Sequence, residues 1–311
     1  MYVAVVVIAV LLIFIFLSNG HNSISKTTIN TVANSSLQQS TTVPPATIIQ
    51  PVYNPTSYRG SSPVIFTQST TLTGNIVTSS NITILLRGVI INTSSYSLIS
   101  GGVFNNQGTI DAGLVGNGGS SGSAGGNVGY SYGGSGGGAW AFGCGNAAGG
   151  NSQSNGGNTQ VVGGNSATGI NGGGGTGTSV NQSNLTSLQI QTMYNNSIAQ
   201  YLEGAGGGAA TNCGTPANGG SGSYGIYIQG TKVVAGNINT VGQSGTGGSE
   251  QAGGGGGGGA ILISYGNGGY QAGSYKNNGG SGGMGLYGKG GSGGSGAILT
   301  YNYSSSPPLN P

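Results

Sequence analysis

Chemistry in this chain would have to be done with very few side chains: one histidine (His21), three carboxylates (Asp111, Glu203, Glu250), six basic residues and two cysteines (Cys144, Cys213). Acid–base and nucleophilic mechanisms need titratable groups that converge on one point, and nothing in the spacing brings these together. His21, Asp111 and any serine would name the members of a hydrolytic triad. His21, however, lies beside an apolar N-terminal run, in a segment with no apolar periodicity. A structural metal site wants four ligands, which two cysteines and one distant histidine do not supply. Glycine-rich phosphate-loop patterns recur by chance when 71 of 311 residues are glycine, and Gly288-Lys289 is followed by Gly290 where such a loop needs Ser or Thr. The cations Lys26, Arg59, Arg87, Lys232, Lys276 and Lys289 are too scattered to follow a phosphate backbone. A non-enzymatic chain with no cofactor, no metal and no nucleic-acid partner is expected.

The cysteines have a structural use instead. Each follows the same phrase, Gly136-Gly137-Gly138-Ala139 before Cys144 and Gly206-Gly207-Gly208-Ala209 before Cys213. Equivalent places in two repeats can face one another, so a Cys144–Cys213 disulfide is expected in an exported chain, where closing such a loop contributes about 4 kcal/mol in the chain-entropy model. Acceptor sequons for N-glycosylation stand at Asn34, Asn81, Asn92, Asn181, Asn184, Asn195 and Asn302, and they agree with an extracellular location. Aromatic residues stud the glycine-rich part, among them Tyr130, Tyr132, Trp140, Phe142, Tyr194, Tyr201, Tyr224, Tyr227, Tyr265, Tyr270, Tyr275 and Tyr287. Two uses fit them: bodies packed between strands with polar tips reaching partners, or an exposed platform for a receptor or glycan.

Elements must hold these residues. Met1 to Leu17 is apolar apart from Tyr2 and reads as a signal peptide or a membrane-anchor helix over residues 1–20; Ser18 and Gly20 suit cleavage after Gly20. Uncleaved, residues 1–17 would make the membrane a partner. Residues 21–62 are rich in Ser, Thr and Pro without a buried face and predict a disordered stalk. Residues 63–113 carry short β-favouring words such as Val64-Ile65-Phe66 and Ile82-Thr83-Ile84, separated by Asn, Ser and Gly. Glycine dominates residues 114–303, and a C-terminal tail of residues 304–311 follows.

Internal repetition argues that the glycine-rich part folds. Gly259-Ala260-Ile261-Leu262-Ile263 returns as Gly296-Ala297-Ile298-Leu299, with Gly225-Ile226-Tyr227-Ile228 ahead of both. Val234-Ala235-Gly236 returns as Gln271-Ala272-Gly273, and Asp111-Ala112-Gly113 reads as an older copy. A linker has no cause to keep such a register, whereas a stacked repeat does. Lacking Cβ atoms, extended glycine passes can approach one another closely enough to satisfy their backbone groups, which offsets the entropy cost of fixing them. The predicted class is all-β: an N-terminal hydrophobic helix and a stalk, then a β-helix-like repeat domain with packed extended glycine segments.

The alternation of a long glycine run, a word such as Ala260-Ile261-Leu262-Ile263, an Asn/Gly turn and a word such as Gln271-Ala272-Gly273 resembles the glycine-rich repeat domains of archaeal and bacterial surface proteins. The runs are also similar to the polyglycine-II layers at the receptor-binding tips of some phage adhesins. The resemblance covers residues 101–303 and implies a structural or adhesive cell-surface role, with a receptor-binding module such as a viral host-attachment fibre as the alternative. It implies surface glycans or other surface proteins as partners and leaves homo-oligomerisation open.

Overall fold

The computed structural model describes residues 49–116, 118–120, 125, 127, 131–141, 152–153, 160–161, 167–168, 176–177, 179, 185–210, 216–304 and 306–311. The predicted N-terminal helix and most of the predicted stalk lie outside the described residues. No helix among the described residues is long and apolar enough to cross a membrane.

The chain is all-β in the main, and its principal strands are parallel. They form a ten-stranded and a five-stranded sheet that together make three strips, one above another along each strip. Strip one stacks Tyr58–Gly60, Ile76–Thr78, Leu98–Ser100, the first half of Ile226–Val234, the first half of Ile261–Gln271, and Ile298–Asn302; its register aligns Tyr58, Ile76, Leu98, Ile228, Ile263 and Thr300. Strip two stacks Val52–Tyr53, Val64–Phe66, Ile82–Ile84, Val103–Asn106 and the second halves of the two long strands, aligning Val52, Val64, Ile82, Phe104, Val233 and Tyr270. Strip three stacks Thr70–Thr71, Ile90–Asn92, Thr109–Asp111, Asn237–Asn239 and Ser274–Lys276, aligning Thr70, Ile91, Ile110, Ile238 and Tyr275. The aligned apolar residues form columns that meet in one core: Ile76, Leu98, Ile228 and Ile263 from strip one, Val64, Ile82, Phe104 and Val233 from strip two, and Ile91, Ile110 and Ile238 from strip three.

Strip one is buried on both sides. Its alternate residues Val77, Ile99, Tyr227, Leu262 and Leu299 face away from that core into a second one. A strand covered on both faces reads as a continuous apolar run rather than an alternation, which is why Ile261-Leu262-Ile263 has no polar member. The second core is covered by helix α1 (Ser187–Asn195), which contributes Ile190 and Met193, and by Tyr132, Leu202 and Leu309. This helix is absent from the all-β expectation. Its N-terminus is written in Thr186-Ser187-Leu188-Gln189, a capping box in which the Thr186 hydroxyl accepts from the Gln189 N–H (3.3 Å) and the Gln189 side chain accepts from the Thr186 N–H (2.8 Å).

The expected boundaries need correction. Val52–Tyr53 and Tyr58–Gly60 belong to the sheet although they fall in the segment read as stalk. Strands this short put one inward side chain each, Val52 or Tyr58, between prolines, too little to register as a pattern. The division at residue 113 also fails, since Ile226–Val234 stacks directly on Leu98–Ser100 and Val103–Asn106 and shares their core. The C-terminal tail docks: Gln229 Nε2 donates to the Leu309 carbonyl (2.8 Å) and Gln229 Oε1 accepts from the Leu309 N–H (3.2 Å). The older copy at Asp111-Ala112-Gly113 is out of register, because Asp111 aligns with Asn239 whereas Val234 aligns with Asn105.

Between Ala112 and Gly225, and in residues 240–260 and 277–297, the described glycine segments lie outside the three strips and pack together. Residues 253–260 show how. Successive N–H groups turn to three different neighbours: Gly253, Gly256 and Gly259 donate to the carbonyls of Thr246, Gln243 and Thr240; Gly254, Gly257 and Ala260 to Gly208, Ala205 and Leu202; Gly255 and Gly258 to Gly291 and Gly294, all at 2.7–2.9 Å. The carbonyls accept from three more: Gly253 and Gly256 from Gly283 and Gly280, Gly254 and Gly257 from Gly220 and Ser223, Gly255 and Gly258 from Gly137 and Gly134. One segment is thus ringed by six, each bonded at every third residue. A Cβ on Gly257 would overlap the carbonyl oxygen of Gly134, and one on Gly255 that of Gly280, so glycine is required here by space.

Candidate binding surfaces

The carboxylates expected to be too dispersed for catalysis lie on three different parts of the molecule. Asp111 is on strip three, where Oδ2 accepts from Asn239 Nδ2 (2.8 Å) and Oδ1 from the Gly113 N–H (2.9 Å). Glu203 stands at the start of a glycine pass, half-buried, and burial raises its carboxyl pKa. Glu250 lies in the turn that joins the passes 240–246 and 253–260. Among the described residues there is no group of three or more His, Cys, Asp and Glu able to hold a metal. His21, Cys144 and Cys213 lie outside the described residues, as do Asn34, Asn181, Asn184, Tyr130 and Phe142.

Four sequons are described. Asn195 and Asn302 are exposed at the last residues of α1 and of strand Ile298–Asn302. Asn81 is exposed, with its side-chain oxygen accepting from the Val103 N–H (2.8 Å). Asn92 is half-buried and holds a turn, its oxygen accepting from the Ser94 N–H (3.0 Å).

The aromatics mostly close cores. Tyr132, Trp140 and Tyr227 are buried. The Tyr227 hydroxyl donates to Gln229 Oε1 (2.8 Å) and lies 3.3 Å from Ser264 Oγ, which joins the ring to the docked C-terminal residues. Among the described residues Ile298–Asn302 pairs only with residues 261–265, and no described strand stacks on Tyr270 or Tyr275. Tyr265 and Tyr270 stack there (centroids 5.3 Å apart), and the Tyr270 and Tyr275 hydroxyls hydrogen-bond each other. Tyr58 takes the corresponding place in the first strand of strip one, its hydroxyl accepting from the Ser62 N–H (3.0 Å). A ring with a polar tip suits such an end, with one side on apolar neighbours and the other near water.

Two surfaces among the described residues are candidates for contact. One is the distal turn of the glycine passes, residues 284–289, where Met284 (69%), Leu286 (73%) and Tyr287 (44%) are exposed. It is tied to the neighbouring turn by the Leu286 N–H donating to Ser249 O (3.2 Å) and closed by the Gly285 N–H donating to Gly288 O (2.8 Å). Beneath it Trp140–Ala141 pairs with Gln251–Ala252. The other is a polar groove where strip two turns into strip three, lined by Arg87, Asn106, Gln107, Asn237 and Gln271. The sequence offered one sign of this corner, the Asn106-x-Gly108 turn, in which Asn106 Oδ1 accepts from the Gly108 N–H (2.9 Å). Comparison of the chain with protein-family models, with curated proteins and with solved structures finds no match.

Proposed function

We propose that the chain is an extracellular, non-enzymatic protein of a cell or particle surface, structural or adhesive in role, whose curled sheet is a β-helix and whose glycine passes form a polyglycine-II-like layer. The supporting observation is the ring of six segments around residues 253–260. It is a costly way to fix a chain unless the result must be stiff, because glycine loses more conformational freedom on folding than any other residue. What the stiffness does is hold the turns at 247–252 and 284–289 at a distance from the sheet. A composition with so few charged groups suits a scaffold better than a catalyst, since catalysis needs convergent titratable groups.

Gold-labelled antibody raised against residues 284–289 tests the location on intact cells or particles. Label on the untreated exterior is the expected result; label that appears only after permeabilisation contradicts it. A receptor-binding role is favoured by one observation of its own, the exposure of Met284, Leu286 and Tyr287 together on one turn.

A further inference from the structure

The groove between strips two and three is built for a ligand of definite chemistry. Its floor is backbone, for at Gly108, Gly236 and Gly273 a side chain would run into the adjoining turn rather than into the groove. Asn106 fixes the corner, with Nδ2 donating to the carbonyls of Ala235 (2.7 Å) and Asn237 (3.3 Å). The hollow over this floor measures about 570 Å³ and is walled by the exposed side chains of Arg87, Gln107, Asn237 and Gln271. A second hollow of about 540 Å³, lined by Thr109, Ser274 and Lys276, adjoins it at Asn237. Four successive turns of the chain contribute, so at the usual inter-strand spacing the groove spans roughly 14 Å along the stack.

Primary amides and hydroxyls present a donor and an acceptor side by side, which matches the vicinal hydroxyls of a sugar. The planar guanidinium of Arg87 takes a carboxylate through two parallel hydrogen bonds. Lys276 supplies a second positive charge at the far end, and neither hollow is lined by Asp or Glu. Val234 and Val241 give the apolar ground on which sugar C–H groups rest. The geometry points to a binding site for a short acidic oligosaccharide, a uronate-containing glycan laid across the stacked turns with a carboxylate on Arg87. The site is separate from the distal turns and holds whether or not the chain is displayed outside a cell, so its test is independent of the antibody experiment.

The purified full chain is titrated with a tri-uronate and with its neutral trisaccharide counterpart, following the side-chain amide resonances of Gln107, Asn237 and Gln271. The expected result is movement of those resonances with the acidic probe, binding of the neutral probe weaker by about tenfold or more, and a loss of about tenfold in Arg87→Ala, the scale of one charge-assisted pair. Gln271→Ala serves as the second variant and is expected to weaken binding with an unchanged thermal midpoint, both side chains being exposed. The site is overturned if the amides stay still up to millimolar tri-uronate, if both variants bind as the parent does, or if a glutamate-rich peptide of equal charge binds at least as well.

Discussion

Tyr227 and Tyr132 illustrate what a side chain does in a protein with so little charge. Burial pushes the Tyr132 hydroxyl up to about 12 and does the same to Tyr303, while Tyr227 and Tyr270 are raised further, again chiefly by burial. In each the folded state holds the proton more tightly than the unfolded chain. Their contribution is therefore fully present below the ordinary tyrosine value of 10.0 and is lost as pH rises from there through about 12. Glu203, raised by burial, has the same sign at lower pH: its contribution is present in acid and is lost as pH rises through its elevated folded-state value. Acidification neutralises three carboxylates and charges one histidine, a small addition to the formal +3. Thermal unfolding followed by circular dichroism should then give midpoints at pH 2 and pH 7 within about 10 °C of each other, and a midpoint at pH 11 lower by more than about 10 °C. A fall in acid as large as that in alkali would mean that a carboxylate holds a structurally important charge.

At the scale of elements, the repeats that could be read in the sequence are the ones whose matching words recur at a nearly constant interval. Ile226, Ile261 and Ile298, aligned in the sequence by their matching words, are also aligned by hydrogen-bonded register. The earlier strands were legible as β but not as members of the same strip, because residues 112–225 separate Asp111 from the next strand of the three strips and erase the interval. Helix α1 was missed because its apolar face is two residues, Ile190 and Met193, too few for a period, although its capping box was present in the letters. The groove was legible only at its Asn106-x-Gly108 corner, since Arg87, Gln107, Asn237 and Gln271 come from four turns and meet only when the strips stack. The glycine passes give the sharpest substitution test. Gly257→Ala is expected to cost about 3 kcal/mol or more, because the carbonyl it would overlap belongs to a bonded neighbour and cannot retreat alone. Gly116→Ala, where a Cβ meets open space, is expected to change stability by less than about 0.5 kcal/mol. Denaturant melts of the two variants measure the contrast; equal effects would mean the passes are looser than their hydrogen bonds imply.

For the molecule as a whole, the described sheet and glycine passes belong to one compact unit. They are also chemically continuous, since Ala260 donates to Leu202 as the last bond of a glycine pass and its carbonyl accepts from Ile226, the first residue of a sheet strand. A chain with 71 glycines could instead have been a flexible tract, and the two states differ most in what protects the amides. Each N–H of residues 253–260 is bonded to a neighbouring segment and buried, so exchange should require opening of the surrounding passes rather than local fraying. Amide hydrogen exchange of the intact chain at neutral pH measures this directly. Protection of residues 253–260 comparable with that of the core strand residues 261–264 is the predicted result. Exchange of the glycine amides at the rate of an unstructured peptide, while residues 261–264 stay protected, would contradict the ring of six.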